Sequence, residues 1–352
     1  MHKLFITGGS GYVGAMLVRE YAKRPDVEAI FAIDKEPASE LYAGDKKVTF
    51  IQANTSDTGL WLAKAKAFAP DIVIHTAWQI REMFHDKQTQ WKWNIEGSDA
   101  VFDFAFKTPS VKKLVHFSTV ASYGAFPDNT IEHLFTENES FRVTDYLYAE
   151  EKRITEEHLA DKYANETKNV AKKPPQVFVL RPAAITGPRG RYMRIRFGLQ
   201  AALSGQLKET FIHKLISAMV SFVPVTEKWC RQFIHEDDVV AIVTLLSFND
   251  LQGAYEVFNI CPPGPVVRGK DMAEAVGKKT VSVPPWLIRI VFAVMWNLSR
   301  GKVPTSKGGW KSYSYPIAVD GSKLTKKYGF TYTFEPKEAF VKKEGKYMEF
   351  VK

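Results

Sequence analysis

The architecture is set by one stretch near the start, Lys3-Leu4-Phe5-Ile6-Thr7-Gly8-Gly9-Ser10-Gly11-Tyr12-Val13-Gly14, where an apolar strand breaks into closely spaced glycines. The glycines have the spacing of a dinucleotide-binding turn, which brings backbone N–H groups close to a pyrophosphate. The next residues, Tyr12 to Lys23, are predicted to form a helix, and a second strand, Glu28 to Ile33, ends on Asp34. A carboxylate there is placed to accept hydrogen bonds from the ribose hydroxyls of NAD.

Apolar strand-like segments alternate with helical segments over the first half of the chain. The predicted strands are Leu4 to Ile6, Ile30 to Ile33, Val48 to Gln52, Ile72 to His75, Leu114 to Phe117 and Val177 to Leu180. Such strands indicate an α/β fold with a doubly wound parallel sheet of the Rossmann type. We expect an NAD-binding domain over residues 1–187, with segments near 228–260 returning to it. The remainder, 188–352, is predicted to be mostly a smaller C-terminal substrate-binding lobe.

Ligands of doubly wound sheets bind beyond the carboxyl ends of the strands. The residues at the predicted strand ends are therefore considered together: Thr7, Asp34, Asn54, His75-Thr76-Ala77, Ser118-Thr119 and Arg181-Pro182.

Tyr148 and Lys152 lie four residues apart in a segment with helical periodicity, Tyr146 to Asn165, so they share one helix face. A phenol of pKa about 10 is a poor base at neutral pH, and an adjacent ammonium favours its phenolate. Tyr148 is therefore a candidate to move a proton on or off an alcohol oxygen. The spacing alone is common by chance, and a solvated helix face is the alternative.

The composition narrows the function classes. The chain has 352 residues, a net charge of +9 and two cysteines, Cys230 and Cys261. The cysteines fit a reducing compartment and do not form a metal-site pattern, so no metal is expected. No nucleic-acid module is recognisable, and no apolar run reaches the roughly 18 residues that a membrane span needs. We expect a cytoplasmic protein that acts on a small molecule.

Seven blocks in order, together with the single residue Asp34, resemble the extended short-chain dehydrogenase/reductase family, the NAD-dependent epimerases and dehydratases. Beyond the glycine turn and Asp34, they are Asp71 to Ala77, Asn94 to Ser98, Ser118 to Gly124, Tyr148-x-x-x-Lys152, Leu180 to Pro182 with Gly187-Pro188, and Gln232 to Asp238. The resemblance covers about the first 245 residues well. It implies that Thr119 bonds the reacting oxygen, that Tyr148 is the acid/base, and that Lys152 holds the ribose and tunes the tyrosine. It also makes a homodimer plausible, packed through Asn94 to Phe106 and Tyr148 to Leu159.

The candidate site residues follow from these blocks. The catalytic candidates are Thr119, Tyr148 and Lys152. The cofactor candidates are Thr7, Gly8, Gly9, Gly11, Tyr12, Val13, Gly14, Asp34, Asn54, Thr55, Thr76, Ala77, Asn94, Tyr148, Lys152 and Pro182, and the substrate candidates are Trp78, Ser118, Arg189 and Arg231.

Departures from the family pattern are also informative. Val120 and Ala121 stand where dehydratases carry an Asp-Glu pair, which disfavours a sugar 4,6-dehydratase. Residues 315–324 lack the Arg-x-Gly-Asp segment of sugar-nucleotide epimerases, which weakens that substrate class. Lys35 beside Asp34 leaves NADP open, but the carboxylate would repel a 2′-phosphate, so NAD is favoured.

The C-terminal lobe opens with four arginines, Arg189, Arg191, Arg194 and Arg196, which suit an anionic group or form a solvated turn. Two segments, Phe211 to Val225 and Val281 to Leu298, are unusually apolar. The second carries an apolar arc that needs a partner. Core, a dimer contact, a pocket for a lipophilic alcohol, and peripheral membrane contact through 284–300 all remain open.

The sequence thus predicts an NAD-dependent oxidoreductase or epimerase that acts at a secondary alcohol or ketone carbon. The alternatives are a sugar-nucleotide epimerase with tightly held NAD, a dehydrogenase that acts on a lipophilic, steroid-like alcohol, and a non-catalytic NAD(P)-binding scaffold or redox sensor. Retention of both Tyr148 and Lys152 disfavours the last.

Overall fold

A seven-stranded, wholly parallel sheet forms the centre of the molecule. The computed structural model describes residues 1–168, 173–190, 222–275, 277, 279–342 and 344–351. The sheet contains β1 (His2–Thr7), β2 (Val27–Asp34), β3 (Val48–Gln52), β4 (Ile72–His75), β5 (Lys113–Phe117), β6 (Gln176–Pro182) and β11 (Tyr255–Ile260). Its strand order is β11-β6-β5-β4-β1-β2-β3, so the order reverses between β1 and β4. Ligands of such sheets bind at this reversal.

Helices cover both faces of the sheet, which explains the near-continuous apolar strands. They are α1 (Tyr12–Ala22), α2 (Thr58–Phe68), α3 (Lys87–Trp91), α4 (Gly97–Lys107), α5 (Leu147–Thr167) and α6 (Glu236–Phe248), with a π-helical turn over Lys92–Glu96 before α4. One buried cluster includes Leu4, Ile6 and Leu17, a second includes Phe5, Trp61 and Phe104, and a smaller third includes Trp229, Phe233 and Phe340. The fold class predicted from the sequence, and its first six strands, are confirmed.

Short strands and helices form the rest of the described chain. The strands are β7 (Ala184–Thr186), β8 (Phe222–Val225), β9 (Cys230–Arg231), β10 (Phe233–His235), β12 (Val267–Arg268) and β13 (Lys279–Ser282). The helices are α7 (Gly269–Ala275), α8 (Pro285–Leu298), α9 (Gly309–Ser312), α10 (Ser322–Tyr328) and α11 (Pro336–Val341). Arg191, Arg194, Arg196 and most of the apolar segment 211–225 lie outside the described residues. No helix of the described chain is long and apolar enough to cross a membrane.

A buried ion pair fastens α5 to the sheet. The guanidinium of Arg181, on β6, donates through Nε to Glu156 Oε1 at 3.0 Å and through Nη1 to the Tyr123 hydroxyl at 2.6 Å. Both charged side chains are buried. Since α5 carries Tyr148 and Lys152, this pair fixes their position relative to the strand ends.

Replacing Arg181 with methionine is expected to lower the free energy of unfolding by about 3–5 kcal/mol, because Glu156 is left buried without a counter-charge. Denaturant unfolding measures this loss. The control is Arg142→Met, whose pairing with Asp128 is exposed and should contribute little to stability. Equal losses in the two variants would contradict the assignment.

Candidate active site

The glycine turn is packed so closely that a side chain is excluded at Gly8 and at Gly14. A Cβ on Gly14 would lie 2.0 Å from the Gly8 carbonyl oxygen, and one on Gly8, at φ +75°, would lie 2.6 Å from Thr76 Oγ1. Helix α1 begins after Gly11, which provides no side-chain cap. The first N–H groups of α1 therefore remain available for an anion.

A cavity of about 360 Å³ opens over this turn at the reversal of strand order. Asp34 lines it, and its Oδ2 accepts from Ser10 N at 3.0 Å while Oδ1 accepts from Glu36 N at 2.9 Å. The sequence-predicted cofactor residues that line it are Gly8, Gly11, Tyr12, Val13, Gly14, Asp34, Asn54, Thr55, Thr76, Ala77, Asn94, Tyr148, Lys152 and Pro182. We call it the cofactor cavity. A glycine-rich turn, an uncapped helix and a carboxylate at the end of β2 fit a dinucleotide.

Two cofactor candidates lie outside the lining. Thr7 is fully buried, and its Oγ1 is 2.6 Å from His75 Nδ1. Gly9 faces β2, where a Cβ would lie 3.0 Å from Ala32 Cβ. Both residues support the turn from beneath the cavity.

A second cavity of about 290 Å³ adjoins the first, and Tyr148 lines both. We call it the substrate cavity. Thr119 and Arg231 line it, together with apolar residues such as Val120, Ala121, Ile185 and Ile317. Arg231 is the charged side chain among its described lining residues. Its guanidinium lies 5.7 Å from the ring centres of Trp229 and Tyr313.

Thr119 and Tyr148 both line the substrate cavity, and Tyr148 also lines the cofactor cavity. Burial raises the pKa of Tyr148, and the hydrogen bond with Thr119 opposes that rise. Thr119 Oγ1 also accepts from Ala121 N at 3.2 Å, where it caps a short 3₁₀ turn. Its hydroxyl hydrogen thereby remains available to donate.

Lys152 is buried beneath the cofactor cavity. Its Nζ donates to the Phe117 carbonyl and lies 3.6 Å from the centre of the Trp78 ring. Burial lowers its pKa to about 7, against the opposing influence of Glu156 and Glu151. The ammonium is thus held by a carbonyl and an aromatic face.

The four substrate candidates are separated by the structure. Trp78 and Ser118 line the cofactor cavity, and only Arg231 lines the substrate cavity. Arg189 lines neither one. Its Nη1 donates to the Tyr12 carbonyl at 2.8 Å and its backbone N donates to Glu236 Oε1 at 3.3 Å. Arg189 therefore ties the segment after β7 to the start of α1.

Asn94 and Glu151 are joined by a hydrogen bond, and the sequence predicted only Asn94 as a site residue. Asn94 Nδ2 donates to Glu151 Oε2 at 2.7 Å and to the Gln79 carbonyl at 3.0 Å, and its Oδ1 accepts from Gln79 N at 2.8 Å. It thereby fixes the loop after β4 that lines the cofactor cavity. Glu151 was missed, although its place immediately before Lys152 on a helix was a usable signal.

A model of the NAD dependent epimerase/dehydratase family matches residues 4–261. The chain belongs to this family. No curated protein sequence matches significantly.

Solved structures show the same fold at low identity. The Bordetella bronchiseptica enzyme WbmG, in complex with NAD and UDP, is 20% identical with a TM-score of 0.67, covering 99% of this chain and 94% of that one. UDP-glucose 4-epimerase from Thermotoga maritima, with UDP-glucose, is 19% identical with a TM-score of 0.66 and 96% coverage of both chains. dTDP-glucose 4,6-dehydratase from Bacillus anthracis, with NAD, is 15% identical with a TM-score of 0.63, covering 97% and 94%.

Replacing Lys152 with methionine is expected to remove a pH dependence of stability. Lysine in the unfolded chain keeps its proton to a pKa of about 10.4, whereas burial lowers the folded value to about 7. Between these values the unfolded state binds more protons, so this residue makes stability rise with pH, by about 2 kcal/mol from pH 7 to pH 9. Denaturant unfolding of both proteins at the two pH values isolates this contribution. An identical pH response of the two proteins would contradict a depressed pKa.

Proposed function

We propose that this protein is an NAD-dependent oxidoreductase or epimerase that acts at a secondary alcohol or ketone carbon. The observation that carries the proposal is the position of Tyr148, which lines both cavities and shares the lining of the substrate cavity with Thr119. A substrate oxygen beside Tyr148 would lie where the substrate cavity meets the cofactor cavity.

The chain's residues would divide the work between binding and proton transfer. The N-terminus of α1 would hold the pyrophosphate of NAD, and Asp34 would accept from the ribose hydroxyls. Bound NAD supplies the chemistry of accepting and returning a hydride. Tyr148 would take the proton from the alcohol oxygen, or return it to the ketone, and Thr119 would orient that oxygen. The carboxylate of Asp34 supports NAD over NADP.

Electrostatics decide whether Tyr148 can act as a base. Its burial works against the phenolate, while the Thr119 hydrogen bond works for it. Lys152, one helical turn away, would add positive charge when protonated, and Glu156 and Glu151 favour its protonated form. The carboxylates behind Lys152 thus support the ionised tyrosine indirectly.

A sugar-nucleotide epimerase is the second candidate, and Arg231 favours it. A single guanidinium in a cavity with otherwise uncharged described lining residues suits a diphosphate. A lipophilic alcohol gains less support, because no residue of α8 contributes to the described lining of either cavity. An epimerase keeps its cofactor through a turnover, so native mass spectrometry that finds NAD at near-stoichiometric amounts would favour it over a dehydrogenase.

The variant Tyr148→Phe is expected to lose at least about a hundredfold in turnover, because the phenol that exchanges the proton is removed. NAD affinity should stay within about threefold, since the ring still lines the cofactor cavity. Turnover is followed by NMR with UDP-glucose, and by NADH fluorescence with a panel of secondary alcohols. NAD affinity is measured by calorimetry.

Tyr146→Phe is the matched control. Tyr146 lines the substrate cavity but is absent from the lining of the cofactor cavity, and its ring lies 5.9 Å from that of Tyr148. It should keep turnover within about tenfold. Comparable losses in both variants would assign Tyr148 to packing. Absence of NAD binding in the wild type would overturn the whole proposal.

Arg231→Met is expected to raise the KM for UDP-glucose by at least about tenfold while kcat changes little, because the guanidinium would bind ground and transition states alike. Arg142→Met, at an exposed ion pair, is the control. An unchanged KM in Arg231→Met would reject the sugar-nucleotide candidate and leave the redox assignment in place.

A further inference from the structure

Helix α8 (Pro285–Leu298) presents a continuous apolar face to solvent. Along this face Trp286 is 61% exposed, Ile290 51%, Val294 49% and Leu298 78%. The spacing of four residues places them in one row along the helix. No residue of α8 is buried, although the helix is strongly apolar. An apolar helix face of this length normally contacts a partner.

The opposite face of α8 attaches the helix to the body of the protein. Phe292 contacts Tyr313 with ring centres 5.2 Å apart, and Trp296 contacts Phe84 at 5.5 Å. A Cβ on Gly301 would lie 2.6 Å from Phe84 Cβ, so the chain returns closely to the body after the helix. The orientation of α8 is therefore fixed, and the row from Trp286 to Leu298 faces outward.

The sequence that contains and flanks α8 carries charge of one sign. Residues 275–319 contain no aspartate or glutamate and seven basic residues, Lys278, Lys279, Arg289, Arg300, Lys302, Lys307 and Lys311. Arg300 and Lys302 are exposed directly after the helix, and Lys279 is exposed shortly before it. Lys311 is paired with Asp145 at 2.7 Å. An apolar row with cations at both ends complements a surface in which an anionic outer layer covers an apolar layer.

We propose that α8 docks this protein on an anionic lipid bilayer, lying in the plane of the surface. The helix has 14 residues and is about 21 Å long, too short to cross a hydrocarbon core of about 30 Å. Trp286 would lie at the headgroup level, the apolar row would enter the acyl boundary, and the flanking cations would meet lipid phosphates. A second copy fits less well, because a twofold contact through α8 would bring the basic residues of both copies together.

Vesicle co-sedimentation of the full chain tests this proposal. The wild type should bind vesicles of phosphatidylcholine with phosphatidylglycerol, bind vesicles of phosphatidylcholine alone at least about fivefold less, and be released by salt. The double variant Ile290→Asp with Val294→Asp should lose at least about tenfold in vesicle binding. Arg300→Gln with Lys302→Gln should lower binding to the anionic vesicles severalfold.

Val341→Asp is the matched control, since Val341 on α11 is 52% exposed and away from the basic segment in sequence. It should bind vesicles as the wild type does. Circular dichroism and NAD calorimetry establish that all variants fold. The proposal is overturned if the wild type fails to bind anionic vesicles, or if the Ile290/Val294 variant binds them unchanged. A wild-type dimer that this variant converts to a monomer, without vesicle binding, would assign the face to a second copy.

Discussion

The contact between Gly14 and the Gly8 carbonyl is the constraint on which the rest of the structure depends. A Cβ at Gly14 would lie 2.0 Å from that oxygen, so α1 can begin at the edge of the sheet only because side chains are absent. This approach places the uncapped N-terminus of α1 at the reversal of strand order, beside the ends of β1 and β4. The cofactor cavity is the space that results, and Asp34 closes one side of it.

Buried charged side chains fix the part of the site that α5 contributes. Lys152 is removed from water between a carbonyl oxygen and the Trp78 ring, and Glu156 both opposes the fall of its pKa and pairs with Arg181. The same helix therefore carries the proton-transfer candidates and the ion pair that fixes them to β6. Since buried charges are costly unless paired, the position of α5 is narrowly determined. The site and the core share these residues.

The C-terminal part of the chain contributes to the substrate cavity and to an exposed apolar surface. Residues from both halves of the chain line this cavity, and Arg231, from the C-terminal part, brings a single charge to an otherwise uncharged described lining. Gln232 adds no ligand group, because its amide is bonded at both ends to the backbone of Val319. Helix α8 lies outside both cavities and exposes its apolar row. Catalysis and the surface properties of α8 are thus separable in this molecule.

The sequence by itself determined the sheet, the glycine turn, the Asp34 strand end and the helix that carries Tyr148 and Lys152. These features depend on local periodicity and on fixed spacing between residues, and both can be read directly from the sequence. Only the tertiary structure decided that Arg189 binds the Tyr12 carbonyl, that Trp78 lies over Lys152, and that Glu151 supports Asn94. The partners in these contacts are 57 to 177 positions apart in the sequence, so no local sequence pattern predicts the contacts. The outward direction of α8 was likewise undecided until packing showed which face Phe292 and Trp296 attach to the body.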